Sequence, residues 1–263
     1  WAVQKWCAMS ETRELPPPTL THIELALLVS FVIIGVHFAL PDQRLQIGSG
    51  SDHEYTLYGY ADAQTGSSGT WVNQQDQHWR CNYKEHHVFG CGWDTRLFLD
   101  RIKGTDLQDY EAIELKLQYQ GPARRIRVFI RNFNDAYSTV GNIGSSKVMN
   151  TTFPVEEAQG PVILEFNEFA VADWWLTERR ARQQWPLPEF SGIINIGVDF
   201  IDKGDHEIRI ESLALIKPWI KTETLLLWLL GFWMGIFIIE GLVRFSWLYY
   251  HVARERRRVR NME

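Results

Sequence analysis

The chain has 263 residues, with 27 Lys and Arg against 32 Asp and Glu, a formal net charge of -5, 45% apolar residues, 12 Trp and 3 Cys. This composition excludes a disordered polar chain, a collagen-like fibre and a small disulfide scaffold. The mild acidity gives no reason to expect nucleic acid as a partner. The apolar residues are concentrated in two long segments, and these segments divide the chain.

The first apolar segment predicts a transmembrane helix at residues 21–40, preceded by a cytoplasmic tail at residues 1–20. Residues 25–40 carry no formal charge, and a bilayer core of about 30 Å needs about 20 mostly apolar residues in a helix. A buried helix of a soluble protein and a cleaved signal peptide are the alternatives. The signal peptide is disfavoured because no small-residue cleavage site follows, and Pro16–Pro18 stand where a basic region is expected.

Residues 41–221 contain short β-type runs separated by turn residues. In residues 112–119 and 124–133 apolar and polar side chains alternate, which indicates strands with one buried and one solvated face. Eight or nine strands at regular spacing favour an antiparallel β-sandwich or jelly roll. The predicted strands are residues 54–60, 78–83, 88–99, 112–119, 124–133, 147–155, 162–166, 193–200 and 207–216.

Two connections in this region are also predicted. Residues 202–205, with the sequence Asp-Lys-Gly-Asp, are expected to join the last two strands as a hairpin. Only residues 171–184 indicate a helix.

Two of the three cysteines lie in the central region, as Cys81 and Cys91 with His86 and His87 between them. Outside the cytoplasm nearby cysteines on adjacent strands oxidise, so we predict a disulfide that closes a hairpin. A Cys/His metal site is the alternative, but the spacing matches no standard zinc pattern, and no metal ligand is assigned. Cys7 is predicted to be a free cytoplasmic thiol.

The second apolar segment predicts a transmembrane helix at residues 222–250, followed by a basic segment at 251–263 that would begin a signalling helix. Glu240 and Arg244 are four residues apart and can pair on one helix face; the alternative is a functional carboxylate inside the membrane. Aromatic residues suited to the membrane interfaces stand near both ends: Trp219, Trp247, Tyr249 and Tyr250.

Basic residues near the two spans predict the orientation of the chain. More of them lie on the terminal side than on the enclosed side, which places both termini in the cytoplasm and residues 41–221 outside it. The terminal-side residues are Lys5, Arg13, Arg254, Arg256, Arg257, Arg258 and Arg260, and the enclosed ones are Arg44, Arg209, Lys217 and Lys221.

The sequence indicates binding more than catalysis, since it contains no G-x-S-x-G, H-E-x-x-H or P-loop motif. Sugar rings have apolar faces rimmed by hydroxyls, so aromatic rings beside polar groups are candidate sugar contacts. The alternative is that the aromatic rings fill the core and the arginines are ordinary solvated residues. The candidate ligand-binding residues are Arg131, Asn132, Asn134, Tyr137, Trp79 and Trp174.

The run GTDLQDYEAIELKLQYQGPARRIRVFIRNFN at residues 104–134 resembles the central strands of a galactose-binding-like jelly roll, a group that includes carbohydrate-binding modules. Over residues 52–216 the ordered series C-x9-CG, GTDLQDY, LQYQGP, RVFIRNFN, AYS, VADWW and INIGVDF is similar to the extracytoplasmic sensor domain of bacterial membrane-bound diguanylate cyclases and some sensor kinases.

This resemblance implies a jelly roll between two transmembrane helices in a bacterial inner membrane, with the central domain periplasmic. It also implies a small-molecule or sugar ligand, a homodimer and a cytoplasmic output domain. A structural calcium could accompany the fold, and Mg and GTP would be needed only if a cyclase domain follows. No GGDEF motif is present, so we expect a fragment of a longer receptor, whose own enzyme activity these residues leave open. The alternatives are the sensor region of a histidine kinase, or an anchored carbohydrate-binding or scaffold protein without an output domain.

Overall fold

The structure is a computed structural model of the full chain, and it describes residues 20–47, 55–59, 68–84, 91–96, 104–178 and 185–261. The chain divides into two compact units. One consists of the two apolar helical segments, up to Pro41 and from Trp219, and the other is Asp42–Pro218. The predicted tail, together with Cys7, His86 and His87, lies outside the described residues except for Leu20.

The helical unit contains helix α1 (Leu20–Ala39) and helix α3 (Thr222–Arg260). Both are long and apolar enough to cross a membrane. Apolar side chains along them are exposed, for example Phe31 at 70% and Leu227 at 66%. With 39 residues, α3 is ~58 Å long at 1.5 Å per residue, well beyond the thickness of a bilayer core. The predicted second span and the basic segment that follows it therefore form one continuous helix.

In the other unit, the described residues form two six-stranded antiparallel sheets. Sheet A has the order β3-β4-β12-β6-β9, and β1 also pairs with β12. Strand β6 occupies one edge of β12, while β4 and β1 share the other edge, one along each half of the strand. Its strands are β1 (Gln43–Gln46), β3 (Ser68–Asn73), β4 (His78–Tyr83), β6 (Ala112–Gln120), β9 (Val162–Glu165) and β12 (Gly204–Lys217).

Sheet B has the order β10-β8-β7-β11-β5-β2. A short helix α2 (Asp173–Glu178) follows β10, and three 3-10 turns lie at Ile143–Ser145, Val155–Gln159 and Phe166–Glu168. The strands of sheet B are β2 (Tyr55–Gly59), β5 (Cys91–Arg96), β7 (Arg125–Asn132), β8 (Lys147–Pro154), β10 (Ala170–Val171) and β11 (Ile193–Phe200).

The core lies between the sheets because alternate residues of the central strands are apolar. In β7, Ile126, Val128 and Ile130 have no more than trace exposure, and they face the same side because side chains alternate along a strand. Trp79 from sheet A and Trp93 from sheet B are both fully buried in the same core. The predicted fold class, a mainly β antiparallel two-sheet sandwich between two apolar helices, is confirmed.

The predicted disulfide between Cys81 and Cys91 is confirmed, with the two Cα atoms 5.6 Å apart. Its predicted role of closing a hairpin is wrong, because Cys81 lies on β4 of sheet A and Cys91 on β5 of sheet B. The bond instead ties one sheet to the other across the core. Sequence spacing alone does not distinguish a turn within a sheet from a crossing between sheets.

The predicted hairpin at residues 202–205 is corrected for the same reason. Strands β11 and β12 belong to different sheets, so this turn carries the chain from sheet B to sheet A. Strands β1, β3 and β10 were not expected, and β12 begins at Gly204 and ends at Lys217, longer than predicted. Helix α2 is shorter than residues 171–184; residues 179–184 lie outside the described residues.

We expect replacement of both core cysteines, C81S/C91S, to lower the free energy of unfolding by about 2–3 kcal/mol, because the bond closes a loop of 10 residues in sequence. Urea unfolding of the detergent-solubilised chain, followed by tryptophan fluorescence, measures this. The C7S variant should unfold like the wild type. Equal midpoints for C81S/C91S and the wild type would show that the bond contributes nothing.

Gly197 of β11 has no room for a side chain. A Cβ at this position would collide with the ring of Phe129 on β7 and come within 2.7 Å of the Trp93 carbonyl oxygen. We therefore expect G197A to destabilise the sandwich by about 1–3 kcal/mol through overpacking. The matched control is G160A, where no atom lies within 4 Å of the new Cβ. Thermal unfolding compares the two variants; similar midpoints would contradict this packing.

Candidate functional site

One face of sheet B carries a row of arginines, and we call it the arginine face. On β7 it presents Arg125, Arg127, Phe129 and Arg131, while the intervening residues point to the core. The strand register sets the neighbours of each of these residues on β11, and the next strand, β5, extends each row. The face is therefore built in successive rows across three strands, about 7 Å apart.

Arg127 is paired within its own row. Its cross-strand neighbour is Asp199, and the guanidinium donates Nε and Nη2 hydrogen bonds of 2.6 and 2.7 Å to the two carboxylate oxygens. This bidentate geometry is the strongest arrangement available to an arginine and a carboxylate. Arg127 and Asp199 therefore neutralise each other.

Arg131 stands in an equivalent position two rows away, but its cross-strand neighbour is Asn195, and the next residue in that row is Arg96. The Arg131 guanidinium lies over the Phe129 ring, 5.6 Å from its centroid. Its Nη1 donates a long hydrogen bond of 3.4 Å to the Ile143 carbonyl. Its Nε is buried without a hydrogen-bond partner in the described part of the chain.

A pocket of about 200 Å³ lies next to this row, and we call it the Arg131 pocket. Asn195 and Ile143, which contact or neighbour Arg131, both line it, although Arg131 is not itself among the described lining residues. Its walls come from the end of β5, the start of β11 and the loop after β7. The lining residues are Arg96, Phe133, Thr139, Val140, Gly141, Asn142, Ile143, Ser146, Ile194 and Asn195.

The loop after β7 is held by a polar cluster on the core side of the same strand end, which we call the Tyr137 network. The Tyr137 hydroxyl lies within hydrogen-bond distance of Asn132 Oδ1 and 2.9 Å from Glu189 Oε2. Asn134 Nδ2 donates to Glu189 Oε1 at 2.7 Å, and Lys147 Nζ donates to Oε2 at 3.1 Å. Asn132 also donates to the Ser191 carbonyl.

Burial sets the electrostatics of the Tyr137 network. Lys147 is only 2% exposed, and its Nζ lies 4.8 Å from the centroid of the Tyr137 ring. Burial, then the hydrogen bond to Glu189 and the negative charge of Glu189, raise the pKa of Tyr137. Burial alone would raise the pKa of Glu189, but hydrogen bonds from Asn134, Lys147 and Tyr137 together lower it. The cluster is thus a satisfied ion pair that fixes the loop.

Aromatic rings enclose Tyr137 on the remaining sides. Trp175 and Trp185 meet it edge-on, with centroid distances of 5.2 and 5.5 Å. Such edge-to-face contacts add stability beyond the area they bury. The network and its aromatic shell therefore give the wall of the Arg131 pocket a rigid support.

The candidate residues from the sequence separate into three places. Arg131 lies on the arginine face, while Asn132, Asn134 and Tyr137 meet in the Tyr137 network, because neighbours along a strand point to opposite sides. Trp79 is fully buried, and Trp174 on α2 is 44% exposed. Trp79 and Trp174 are not among the described residues that line the pocket.

Several residues of the site were not predicted. These residues lie outside the segment 131–137, on β5, β8, β11 or the segment before β11: Arg96, Lys147, Asn195, Asp199 and Glu189. The alternation in β11 could have placed Asn195 and Asp199 on one face. Nothing in the sequence pairs Lys147 with Glu189, because their contact depends on a loop folding back over the sheet end.

A second depression, of about 460 Å³, lies on sheet A around Arg80 and Glu207. There the charges neutralise one another: Glu207 accepts hydrogen bonds of 2.7 Å from Arg80 and 2.6 Å from His78, and Asn82 donates to Asp205. The described residues contain no group of three or more His, Cys, Asp or Glu that could hold a metal ion. The Arg131 pocket is therefore the stronger candidate site.

Comparison with known proteins does not assign the chain to a family. No protein-family model matches the sequence, and no curated protein matches it. Among solved structures, the chain is similar to a family 11 carbohydrate-binding module of the cellulosomal cellulase Lic26A-Cel5E of Clostridium thermocellum, with 10% identity, 68% of this chain and 89% of that chain covered, and a TM-score of 0.36.

Two further structures have a comparable degree of likeness. One is the family 11 module from Clostridium thermocellum in complex with a β-1,3-1,4-mixed-linked tetrasaccharide, at 11% identity and a TM-score of 0.38, with 68% of this chain and 98% of that chain covered. The other is the xylan-binding module CBM15, at 9% identity and a TM-score of 0.35, with 67% and 97% covered. These values say nothing about a ligand or site in this chain.

We expect the Tyr137 network to make stability depend on pH. Because the folded-state pKa of Glu189 lies below its ordinary value, its ionised form stabilises the fold above the ordinary pKa of about 4.3. This contribution is lost as pH falls from there through the lowered folded-state pKa. The E189Q variant should be less stable at pH 7 and lose less stability on acidification. Urea midpoints at pH 7 and pH 3 measure both effects; parallel losses in the two proteins would contradict this role.

Proposed function

We propose that this chain is the membrane-anchored, extracytoplasmic ligand-binding region of a signalling receptor. The two apolar helices cross the membrane, the sandwich lies outside the cytoplasm, and a small molecule binds in the Arg131 pocket. Helix α3 passes the binding event to an output in the cytoplasm, a diguanylate cyclase in our first proposal and a histidine kinase in the alternative. These output assignments rest on the resemblance of the motifs in residues 52–216.

The pairing of β1 with β12 carries this proposal. Gln43 and Lys217 are partners in the ladder, and these positions lie within a few residues of the end of α1 and the start of α3. Within the helical unit, the Trp219 indole donates a hydrogen bond of 2.8 Å to the Pro41 carbonyl. The two points where the chain passes between the sandwich and the helices are therefore held together. A receptor that moves both helices in response to its ligand requires such a link.

The membrane placement is supported by the surfaces of the helices. Large apolar side chains on α1 and α3 are exposed, and exposed apolar surface of this extent needs a lipid or protein partner. The ion pair between Glu240 and Arg244, with Arg244 Nη2 2.5 Å from Glu240 Oε1, lowers the cost of placing both charges in the helix. Basic residues after Tyr250 favour the cytoplasmic side for that end.

The extracytoplasmic placement is supported by the disulfide. Such bonds form and persist in oxidising compartments and are rare in the cytosol. The bond between Cys81 and Cys91 lies inside the core of the sandwich, so it forms where the sandwich folds. In the bacterial inner membrane that we propose, this compartment is the periplasm.

A route from the pocket to α3 exists along the chain. Ile194 and Asn195, at the start of β11, line the pocket. Strand β11 leads through the turn after Phe200 into β12, and β12 ends at Lys217, shortly before α3. Binding can shift the receptor only by the difference in ligand affinity between its two states. In this proposal, a change at the start of β11 reaches α3 through β12 and through Pro218, whose ring restricts the backbone.

The proposed receptor is a homodimer, in which the basic end of α3 begins the signalling helix toward the output domain. In the cyclase proposal, that output domain would need Mg as its metal ion and GTP as its substrate. The second candidate is an anchored carbohydrate-binding or scaffold protein without an output, and the exposed ring of Trp174 is the observation that favours it, because stacked aromatic rings are a usual way to hold sugars.

The orientation can be tested with single cysteines on a C7S background. We expect N167C, on the sandwich, to react with a membrane-impermeant maleimide in cells whose outer membrane is permeabilised. We expect R258C, at the end of α3, to react only after lysis. Both positions are exposed, so accessibility of the side chain is matched. Labelling of R258C before lysis, or protection of N167C, would overturn the proposed topology.

A further inference from the structure

A groove runs along the second half of helix α3, and we call it the α3 groove. Residues four apart in sequence form ridges on the surface of a helix, and the groove lies between two such ridges. Ala253 leaves room in it, because its side chain is a single methyl group between Tyr249 and Arg257. The described lining residues are Phe245, Tyr249, Ala253 and Arg257 on one ridge and Ser246, Tyr250 and Arg254 on the other.

The two ends of the α3 groove differ in character. The end nearer the start of α3 is aromatic, and Phe245 and Tyr249 are 68% and 71% exposed. The other end carries the guanidinium groups of Arg254 and Arg257, both on exposed residues. At 1.5 Å per residue, ~18 Å of helix axis separates Phe245 from Arg257. The groove thus offers an apolar surface and a cationic one to a single long ligand.

The positive charge of the groove has no carboxylate beside it among the described lining residues. The side-chain hydrogen bonds and ion pairs of the described residues include neither Arg254 nor Arg257. Glu255 lies elsewhere on the helix surface, in a separate depression with Arg256 and Arg260. An anionic group at Arg254 and Arg257 would therefore meet complementary charge without a competing carboxylate in the groove.

The α3 groove lies where the apolar part of α3 is followed by a basic part. Tyr249 and Tyr250 are residues of the kind enriched at a membrane–water interface, and Arg254 and Arg257 follow within about two turns. Because the Cα–Cβ bonds of a helix tilt toward its N-terminus, these long side chains extend back toward the span, and their charges can reach the level of the lipid headgroups. In the proposed topology this is the cytoplasmic leaflet, where anionic lipids attract basic segments beside a span.

A second copy of α3 suits this groove less well than a lipid does. Two receptors in one membrane have the same orientation, so their α3 helices would run parallel. Helices packed along this groove would bring Arg254 and Arg257 close to the same residues of the partner subunit. Like charges brought together in this way oppose association. An anionic lipid is therefore the favoured occupant, and the proposed homodimer would use another face of α3.

We infer that the α3 groove binds an anionic phospholipid, whose phosphate group is held by Arg254 and Arg257 and whose acyl chain lies along Phe245 and Tyr249. A planar guanidinium group donates paired hydrogen bonds that match the geometry of a phosphate. This inference rests on the proposed membrane placement of α3, and it adds a class of lipid as a partner of the proposed receptor.

The test uses the full chain in lipid nanodiscs that contain equal amounts of anionic phosphatidylglycerol and of phosphatidylcholine, which has no net charge. Native mass spectrometry of the chain released from the nanodiscs counts the lipids of each kind that stay bound. The wild type should retain phosphatidylglycerol in preference to phosphatidylcholine. R254Q/R257Q should reduce this preference about tenfold, since two basic residues next to an anionic surface together account for a change of that order.

Two further variants separate a lipid site from general attraction to a charged surface. The matched control R256Q/R260Q removes the same charge from the same end of α3 but outside the groove, and it should keep most of the preference. A253W keeps every charge and fills the groove, and it should release the bound phosphatidylglycerol.

Three results would overturn the inference. These are equal retention of the two lipids by the wild type, equal losses in R254Q/R257Q and R256Q/R260Q, or full retention of phosphatidylglycerol by A253W. If A253W kept the lipid but lost its dimers, a second copy would be the occupant instead. The labelling of N167C and R258C tests the topology independently, so failure of the lipid site is distinguishable from failure of the proposed receptor topology.

Discussion

The antiparallel pairing of β1 with the second half of β12 determines where the chain enters and leaves the sandwich. Strand β12 is bonded along both edges, to β6 on one side and to β4 and β1 on the other. Because β1 follows α1 and β12 precedes α3, this pairing joins the two helix connections through a backbone ladder. Without it, α1 would be joined to the sandwich only by the short segment between Ala39 and Gln43.

At the end of sheet B, the two faces of strand β7 make different contacts. On the core side of β7, Asn132 takes part in a buried polar cluster with Tyr137, Lys147 and Glu189. A buried ion pair contributes little net stability, but the loss of one partner is costly, so the cluster enforces one arrangement of the loop. On the opposite side, Arg131 donates a hydrogen bond to the carbonyl of Ile143, a residue of that loop that lines the pocket. The rigid interior thus supports the wall of the pocket.

The sequence predicted those features that depend on local periodicity. The apolar helices, the alternation in β6 and β7, and the bond between Cys81 and Cys91 all follow from short-range patterns. Which sheet each strand joins does not, because a turn such as that after Phe200 has the same composition whether it stays in a sheet or crosses the core. The Tyr137 network depends on contacts between segments some 40–55 residues apart, such as Lys147 with Glu189 and Tyr137 with Glu189. The ligand site predicted at residues 131–137 remains a prediction. Its residues lie on two sides of β7, with Arg131 on one side and Asn132 and Tyr137 on the other.

The link between the two helix connections requires that β1 and β12 remain paired when the helices lie in a membrane. Hydrogen–deuterium exchange of the full chain in lipid nanodiscs measures this directly, through a peptide that contains Gln43–Gln46. If the pairing persists, these amides are protected to a degree comparable to those of β6, the partner of β12 on its other edge. Exchange as fast as that of an unpaired chain at residues 43–46, with β6 still protected, would contradict it.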